Sequence, residues 1–241
     1  MGNNKITAIV LAAGQGKRMR SPVAKQFLTL RDKPVLYYSL KAFEESGVDE
    51  IILVTGRGQI DYCRENIVDH YGIRKVSRII EGGKERYDSV NCALEKIDRS
   101  DYVLIHDGAR PFITKELIET VIEQVSIYKA CIIGTRVRDT IKIVDDSDFI
   151  TATPDRSDLW AAQTPQAFEF EAIRNAYQML FSDMEDTFDP DRSRRSITDD
   201  AMVYETYLKK PVKIIEGEYC NLKITVPEDL VMAEAILNRL L

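Results

Sequence analysis

The stretch Ile9-Val10-Leu11-Ala12-Ala13-Gly14-Gln15-Gly16-Lys17-Arg18-Met19-Arg20 decides how the chain is read, with Lys25 a short reach beyond it. An apolar run from Ile6 to Leu11 stops at small residues and glycines, and two cations follow at once. That order predicts a buried parallel strand that delivers the chain into a tight loop free of bulky side chains. Gly14 and Gly16 permit positive φ and let amide N–H groups crowd around an anion. Lys17, Arg18 and Lys25 supply charge, and an arginine fork grips phosphate oxygens in pairs. The functional reading is a triphosphate cradle; the plainer one is a turn with solvated cations. Two familiar phosphate motifs do not fit. A P-loop needs Ser or Thr after Gly-Lys, where Arg18 stands, and a dinucleotide fingerprint needs a third glycine, where Met19 stands.

Composition narrows the classes. The 241 residues are 44% hydrophobic, enough for a large core in one α/β domain. A net charge of −6 advertises no basic face for nucleic acid, so cations clustered beside one loop carry more information. Cys63, Cys92, Cys131 and Cys220 are far apart, as expected of reduced thiols in a reducing compartment. No apolar run reaches the length of a membrane span and no signal peptide precedes Lys5, which predicts a soluble, cytoplasmic protein with no membrane partner.

Outward from the loop, strands and helices alternate. Helical spacing marks 33–43, with Pro34 in its first turn, and strands are predicted at 50–55, 76–80, 102–105 and 130–134. Between them lie a poorly patterned helix over 56–71, a helix over 85–97, and one over 115–125 that Thr114 caps. Five such alternations predict a mostly parallel, doubly wound sheet. The rhythm breaks at Arg136. Residues 140–144 and 149–153 flank Asp145-Asp146-Ser147-Asp148 and predict a β-hairpin. Strands so short and few need a partner surface, so residues 137–161 are expected to form an arm that packs on a second subunit. Beyond it we expect helices over 171–180 and 201–207, a charged loop over 182–200, a strand at 212–215, and a last helix beginning at Thr225-Val226-Pro227. No internal repeat or linker interrupts residues 1–241.

In an open parallel sheet ligands bind beyond the carboxyl ends of the strands, where the strand order reverses. The strand ends here carry the glycine and cation loop, then Gly82-Gly83 with Arg86 and Ser89, then His106-Asp107-Gly108-Ala109-Arg110; a late segment carries Lys223. Asp107 is the candidate Mg²⁺ ligand, because a hard divalent cation wants carboxylate and phosphate oxygens. His106 is read as packed and hydrogen-bonded, since a phosphate nucleophile needs no histidine to deprotonate it. Gly82 and Gly83 would let a base approach the backbone, and Ser89 could hydrogen-bond a pyrimidine or ribose. Arg110, Thr140, Arg156 and Lys223 would suit an anionic second substrate such as a sugar phosphate.

Several of these motifs together resemble a known family. Leu11 to Met19 followed by Lys25-Gln26-Phe27 resembles the signature of sugar and polyol nucleotidylyltransferases. Gly82-Gly83-x-x-Arg86-x-x-Ser89-Val90, His106-Asp107-x-Ala109-Arg110-Pro111, Val137-Arg138-Asp139-Thr140, Gln163-Thr164-Pro165-Gln166 and Asn221-Leu222-Lys223-Ile224-Thr225 are similar to those of the 2-C-methyl-D-erythritol 4-phosphate cytidylyltransferases. The related ribitol-5-phosphate cytidylyltransferases share most of them; the segment Asp155 to Gln163 looks more like the methylerythritol group. The resemblance implies one Rossmann-like nucleotidyltransferase domain, CTP and a polyol phosphate as substrates, Mg²⁺, and a homodimer with an exchanged β-arm. It implies that Arg18 and Lys25 stabilise charge on the α-phosphate and that Arg156 and Lys223 position the acceptor phosphate, with Arg110, Thr140 and Thr164 nearby. The implied nucleotide contacts are Ala12, Ala13, Gly14, Gly16, Lys25, Gly82, Gly83, Ser89, Asp107 and Ala109. Ala24 and Gly108 depart from the family's usual proline and alanine, and the 182–200 loop is longer than usual. An NAD(P)-dependent oxidoreductase lacks support without the third glycine. A catalytically silent relative would be expected to have lost the cations that this chain keeps.

Overall fold

The computed structural model describes residues 4–14, 16–19, 21–186 and 197–240. Strand β1 (Ile6–Ala12) is the axis. Its side chains alternate between two cores: Ile6, Ala8, Val10 and Ala12 face one, Ile9 and Leu11 the other. A strand buried on both faces reads as a continuous apolar run, which is why it was visible in the sequence.

In chain order there follow a small hairpin, β2 (Thr29–Leu30) and β3 (Lys33–Pro34), then α1 (Val35–Glu45), β4 (Glu50–Thr55), α2 (Ile60–Cys63) and β5 (Val76–Glu81). Next come α3 (Arg86–Leu94), β6 (Tyr102–Asp107), α4 (Lys115–Tyr128), β7 (Ala130–Arg136), β8 (Ile143–Val144), β9 (Ile150–Ala152) and β10 (Trp160–Glu169). The chain continues through α5 (Phe170–Asp186), α6 (Asp200–Leu208), β11 (Lys213–Glu216) and α7 (Pro227–Leu240). Thr114 caps α4 as expected, its Oγ1 accepting from the Leu117 N–H at 3.2 Å. The predicted helix over 56–71 is only the single turn of α2, continued by a π-helical stretch at Arg64–Asp69.

Among the described residues the main sheet has seven strands in the order β11-β7-β10-β6-β1-β4-β5. Helices α1 and α4 contribute to the core on one face, and α3, α5 and α6 to that on the other, so the sheet is doubly wound. From β1 the chain steps outward through β4 to β5, then crosses back to place β6 on the other side of β1. The order therefore reverses at the carboxyl ends of β1 and β6.

One strand went unread in the sequence. β10 lies antiparallel between β6 and β7, the only antiparallel strand of this sheet among the described residues. Its middle, Gln163-Thr164-Pro165-Gln166, shows no apolar alternation, yet these residues are buried. The polar side chains are satisfied internally, and Pro165 falls in the register shift between Ala162 and Gln166, where the ladder asks for no N–H.

The hairpin at 140–153 forms, with strands shorter than expected: β8 pairs with β9 around a turn in which Asp145 Oδ1 accepts from the N–H groups of Ser147 and Phe149. Its apolar side chains are bare, Phe149 at 72% exposure and Ile150 at 62%. The expected helix over 171–180 extends to Asp186, and of the predicted charged loop residues 187–196 lie outside the described residues. Among the described residues no helix is long and apolar enough to cross a membrane.

Because β10 sits in mid-sheet, its core side chains should matter as much as those of β1. Phe168 is fully buried and lies against Tyr204 with ring centroids 5.2 Å apart. Phe168→Ala is expected to lower the unfolding free energy by about 3–5 kcal/mol in urea titration; a loss below about 1 kcal/mol would show that β10 is peripheral to the core.

Candidate functional site

The reversal point holds a pocket of about 170 Å³ lined by Leu11 to Gly14, Lys25, Gln26, Gly83 to Arg86, Ser89, Asp107, Ala109 and Lys223. Each wall has a structural cause. Parallel pairing of β1 with β6 sets Leu11 opposite Asp107, and the Gly108 N–H donates to Leu11 O at 2.9 Å. Gln26 is buried and its Nε2 donates to Ala12 O at 2.6 Å, which ties the loop back onto β1. Gly16 takes φ +63°, a conformation that favours glycine, and a Cβ there would press on the Lys25 stem at 3.2 Å. A Cβ on Gly82 would come within 2.5 Å of Ser89 Oγ and 2.7 Å of Ala13 Cβ, so the chains can meet here only at glycine.

Cations converge on this pocket from three parts of the chain. Lys25 Nζ donates to Ile224 O at 2.8 Å. Lys223 Nζ lies 2.7 Å from Asp107 Oδ2, and Arg86 Nε donates to Asp107 Oδ1 at 3.1 Å. Burial alone would raise the Asp107 carboxyl, but Arg86 and Lys223 hold it well below the usual carboxylate range. Burial, with repulsion from Lys223, Arg18 and Arg110, lowers the Lys25 ammonium to about 8, although Asp107 pulls the other way. The free pocket thus holds more positive charge than it can comfortably keep, the condition in which a polyanion is welcome.

Not every expected residue meets here. Ala12, Ala13, Gly14, Lys25, Gly83, Ser89, Asp107, Ala109 and Lys223 line the pocket, and Gly16 and Gly82 back it. Arg18 is exposed outside the lining, close enough to Lys25 to repel its ammonium. Arg110 lies behind, one Nη donating to Asn221 O at 2.8 Å while its buried Nε has no partner among the described residues. Thr164 is buried outside the lining; its Oγ1 accepts from the Asp107 N–H at 3.0 Å and lies 3.2 Å from His106 Nδ1. Thr140 and Arg156 stand exposed on the arm, away from this chain's pocket, with Arg156 donating to Arg138 O. His106 is fully buried against Phe43, and burial pushes its imidazole down to about 4, in keeping with a packed, neutral side chain.

Asp200, which no sequence motif marks, is fully buried and accepts from both Nη atoms of Arg86, at 2.9 and 2.8 Å. The motif around Arg86 marked one partner; nothing local ties it to a carboxylate 114 residues away. A wider, open groove of about 470 Å³ runs beside β5 from Arg64 to Ile79, but its arginines are exposed and Arg78 is already paired with Asp98.

A glycine loop, converging cations and one ionised carboxylate at the switch point of a doubly wound sheet define a nucleotide-handling α/β enzyme. The family model for 2-C-methyl-D-erythritol 4-phosphate cytidylyltransferase matches residues 6–239. The protein of that name from Lachnoclostridium phytofermentans is 54% identical, covering 97% of each chain, and that from Lachnospira eligens is 48% identical over 96% of this chain and 99% of its own. The crystal structure of 4-diphosphocytidyl-2C-methyl-D-erythritol synthase from Anaerococcus prevotii superposes with a TM-score of 0.83 at 33% identity, covering 98% of this chain and 97% of that one. The chain belongs to the 2-C-methyl-D-erythritol 4-phosphate cytidylyltransferase family and is a nucleotidyltransferase. The ribitol-5-phosphate alternative finds no support in these matches.

His106 makes the site sensitive to acid. With a folded value of about 4 against 6.5 unfolded, the folded state binds fewer protons between them, so stability is full above pH 6.5 and falls as pH drops toward 4. The loss from this group is expected to reach about 3 kcal/mol, from 1.36 kcal/mol per unit. Urea unfolding at pH 7 and pH 4.5 measures it; His106→Gln, which cannot titrate, should flatten that window while the carboxylate losses below pH 3.8 remain.

Proposed function

We propose that this pocket binds CTP and aligns its α-phosphorus for attack by a phosphate oxygen of 2-C-methyl-D-erythritol 4-phosphate. The reaction, CTP-dependent cytidylyl transfer that serves isoprenoid-precursor biosynthesis, follows from family membership. One P–O bond forms between the acceptor phosphate and the α-phosphorus, and the bond to the pyrophosphate oxygen breaks. Both reactants are anions, so catalysis is charge neutralisation and alignment. The observation that carries the assignment is the meeting of Lys25, Lys223 and Arg86 around Asp107 beside the glycine loop.

In this reading Ala12, Ala13, Gly14, Gly16, Gly82, Gly83, Ser89 and Ala109 cradle the nucleotide. Lys25 and Arg18 neutralise charge building at the α-phosphate; a triphosphate beside Lys25 would keep it protonated well above pH 8. Lys223 faces the acceptor phosphate, with Arg110 nearby bracing the segment that carries it, while Thr164 acts from behind by holding the Asp107 backbone. Asp107 is the fitting Mg²⁺ ligand. Its carboxylate is ionised, and each oxygen keeps acceptor capacity beyond its bond to Arg86 or Lys223. Bound there, the ion would be held by Asp107, since a hard divalent cation takes carboxylate oxygens. When bound, the ion supplies charge neutralisation on the phosphates.

Residues 1–241 act in this proposal as one nucleotidyltransferase domain in the cytoplasm, and residues 137–161 as a dimerisation arm. The bare apolar side chains of Phe149, Ile150 and Ile143 support a second copy as the arm's partner. The arm would carry Thr140 and Arg156 to the neighbour's pocket, where Arg156 holds the acceptor phosphate.

Lys25→Ala is expected to lower kcat by about 10²–10³ with a smaller change in KM for CTP; an unchanged kcat would remove Lys25 from the transition state. Arg156→Ala should raise KM for the polyol phosphate. If the arm crosses, mixing Lys25→Ala and Arg156→Ala chains, assayed at a polyol phosphate concentration at which each alone is nearly inactive, should restore about a quarter of wild-type activity, because half the dimers then hold one intact site. Mixtures that stay inactive would place Arg156 in its own chain's site.

A further inference from the structure

We infer that Asp200 is a positioning residue that restrains Arg86 from the nucleotide's phosphates and thereby limits how tightly the pocket holds pyrophosphate. The inference rests on the proposal that CTP occupies this pocket.

Arg86 stands between two carboxylates. Its Nε faces Asp107, a pocket residue, and both Nη atoms face Asp200, which is outside the pocket and fully buried. Asp200 is itself fixed: the Tyr177 hydroxyl donates to its Oδ1 at 2.6 Å, and its N–H donates to Gln166 Oε1 at 3.0 Å. The guanidinium fork therefore spends its outer edge on a group that never meets substrate. Arg86 nevertheless lines the pocket, and its pairing with two carboxylates means that it adds little positive potential there.

Replacing Asp200 by Asn changes this in two ways. One negative charge is lost, and an NH₂ donor stands where the fork needs acceptors. The Asn oxygen can still accept from one Nη, so one donor of the fork is released, and because Arg86 lines the pocket that donor can turn to the phosphate oxygens of a bound nucleotide or of pyrophosphate. A reaction that must release pyrophosphate is slowed when that product is held too well.

The test is isothermal titration of pyrophosphate and CTP with kinetics on the full chain. Asp200→Asn should bind pyrophosphate about three- to tenfold more tightly, with kcat and KM for CTP both lowered. Damage to packing alone would weaken binding, so a gain in affinity separates positioning from structure. Arg86→Gln/Asp200→Asn, which removes both charges together, should bind pyrophosphate within about threefold of wild type and can be read even if the single variant does not fold. Unchanged or weaker pyrophosphate binding in Asp200→Asn, or a loss beyond about tenfold in the double variant, would overturn the inference. Failure of the wild type to bind CTP or pyrophosphate would instead overturn the pocket assignment.

Discussion

The ionised carboxylate of Asp107, gripped from two sides by Arg86 and Lys223, is the contact on which the site depends. It lies at the end of a strand buried on both faces, where an unpaired charge would be costly. Two cations stabilise it, and in turn it lets them stand close together. Lys25 shows what happens with less help: its ammonium is lowered to about 8 by burial and by neighbouring cations. The pocket is thus a balance of opposed charges, with Lys25, Lys223 and Arg86 around one carboxylate.

That balance is held by β10. Thr164 receives the Asp107 N–H, Gln166 receives the N–H groups of Asp200 and Ala201, and Gln163 with Thr164 holds the Asn221 side chain. Three segments far apart in the chain are therefore registered against one antiparallel strand. A row of buried amides and a hydroxyl does here what apolar side chains do elsewhere in the sheet, with the added directionality of hydrogen bonds.

The arm is tied into the same network. Arg136 lies over the Trp160 ring at 4.6 Å and Arg138 over the Tyr219 ring at 3.5 Å, so the root of the hairpin is clamped to the segment that carries Asn221 and Lys223. Beyond that root the hairpin is short and bare, and its apolar side chains make no core of their own.

What the sequence determined by itself was local and periodic. Continuous apolar runs marked β1, β4, β6 and β7, helical stripes marked α1 and α4, and small residues before Lys17 and Arg18 marked the loop, because burial on both faces and glycine's freedom leave direct traces in residue order. Asp107 and Lys25 were legible as candidates because charge placed after an apolar strand, or beside a glycine loop, is unusual; Lys223 was marked by the motif Asn221-Leu222-Lys223-Ile224-Thr225. Only the tertiary structure decided that β10 enters the sheet antiparallel, since its buried polar residues follow no hydrophobic period. Only it joined Arg86 to Asp200, and set Thr164 behind the site rather than in it. Those facts rest on side-chain hydrogen bonds between residues brought together by strand order, and pairing of that kind leaves no mark on sequence neighbours.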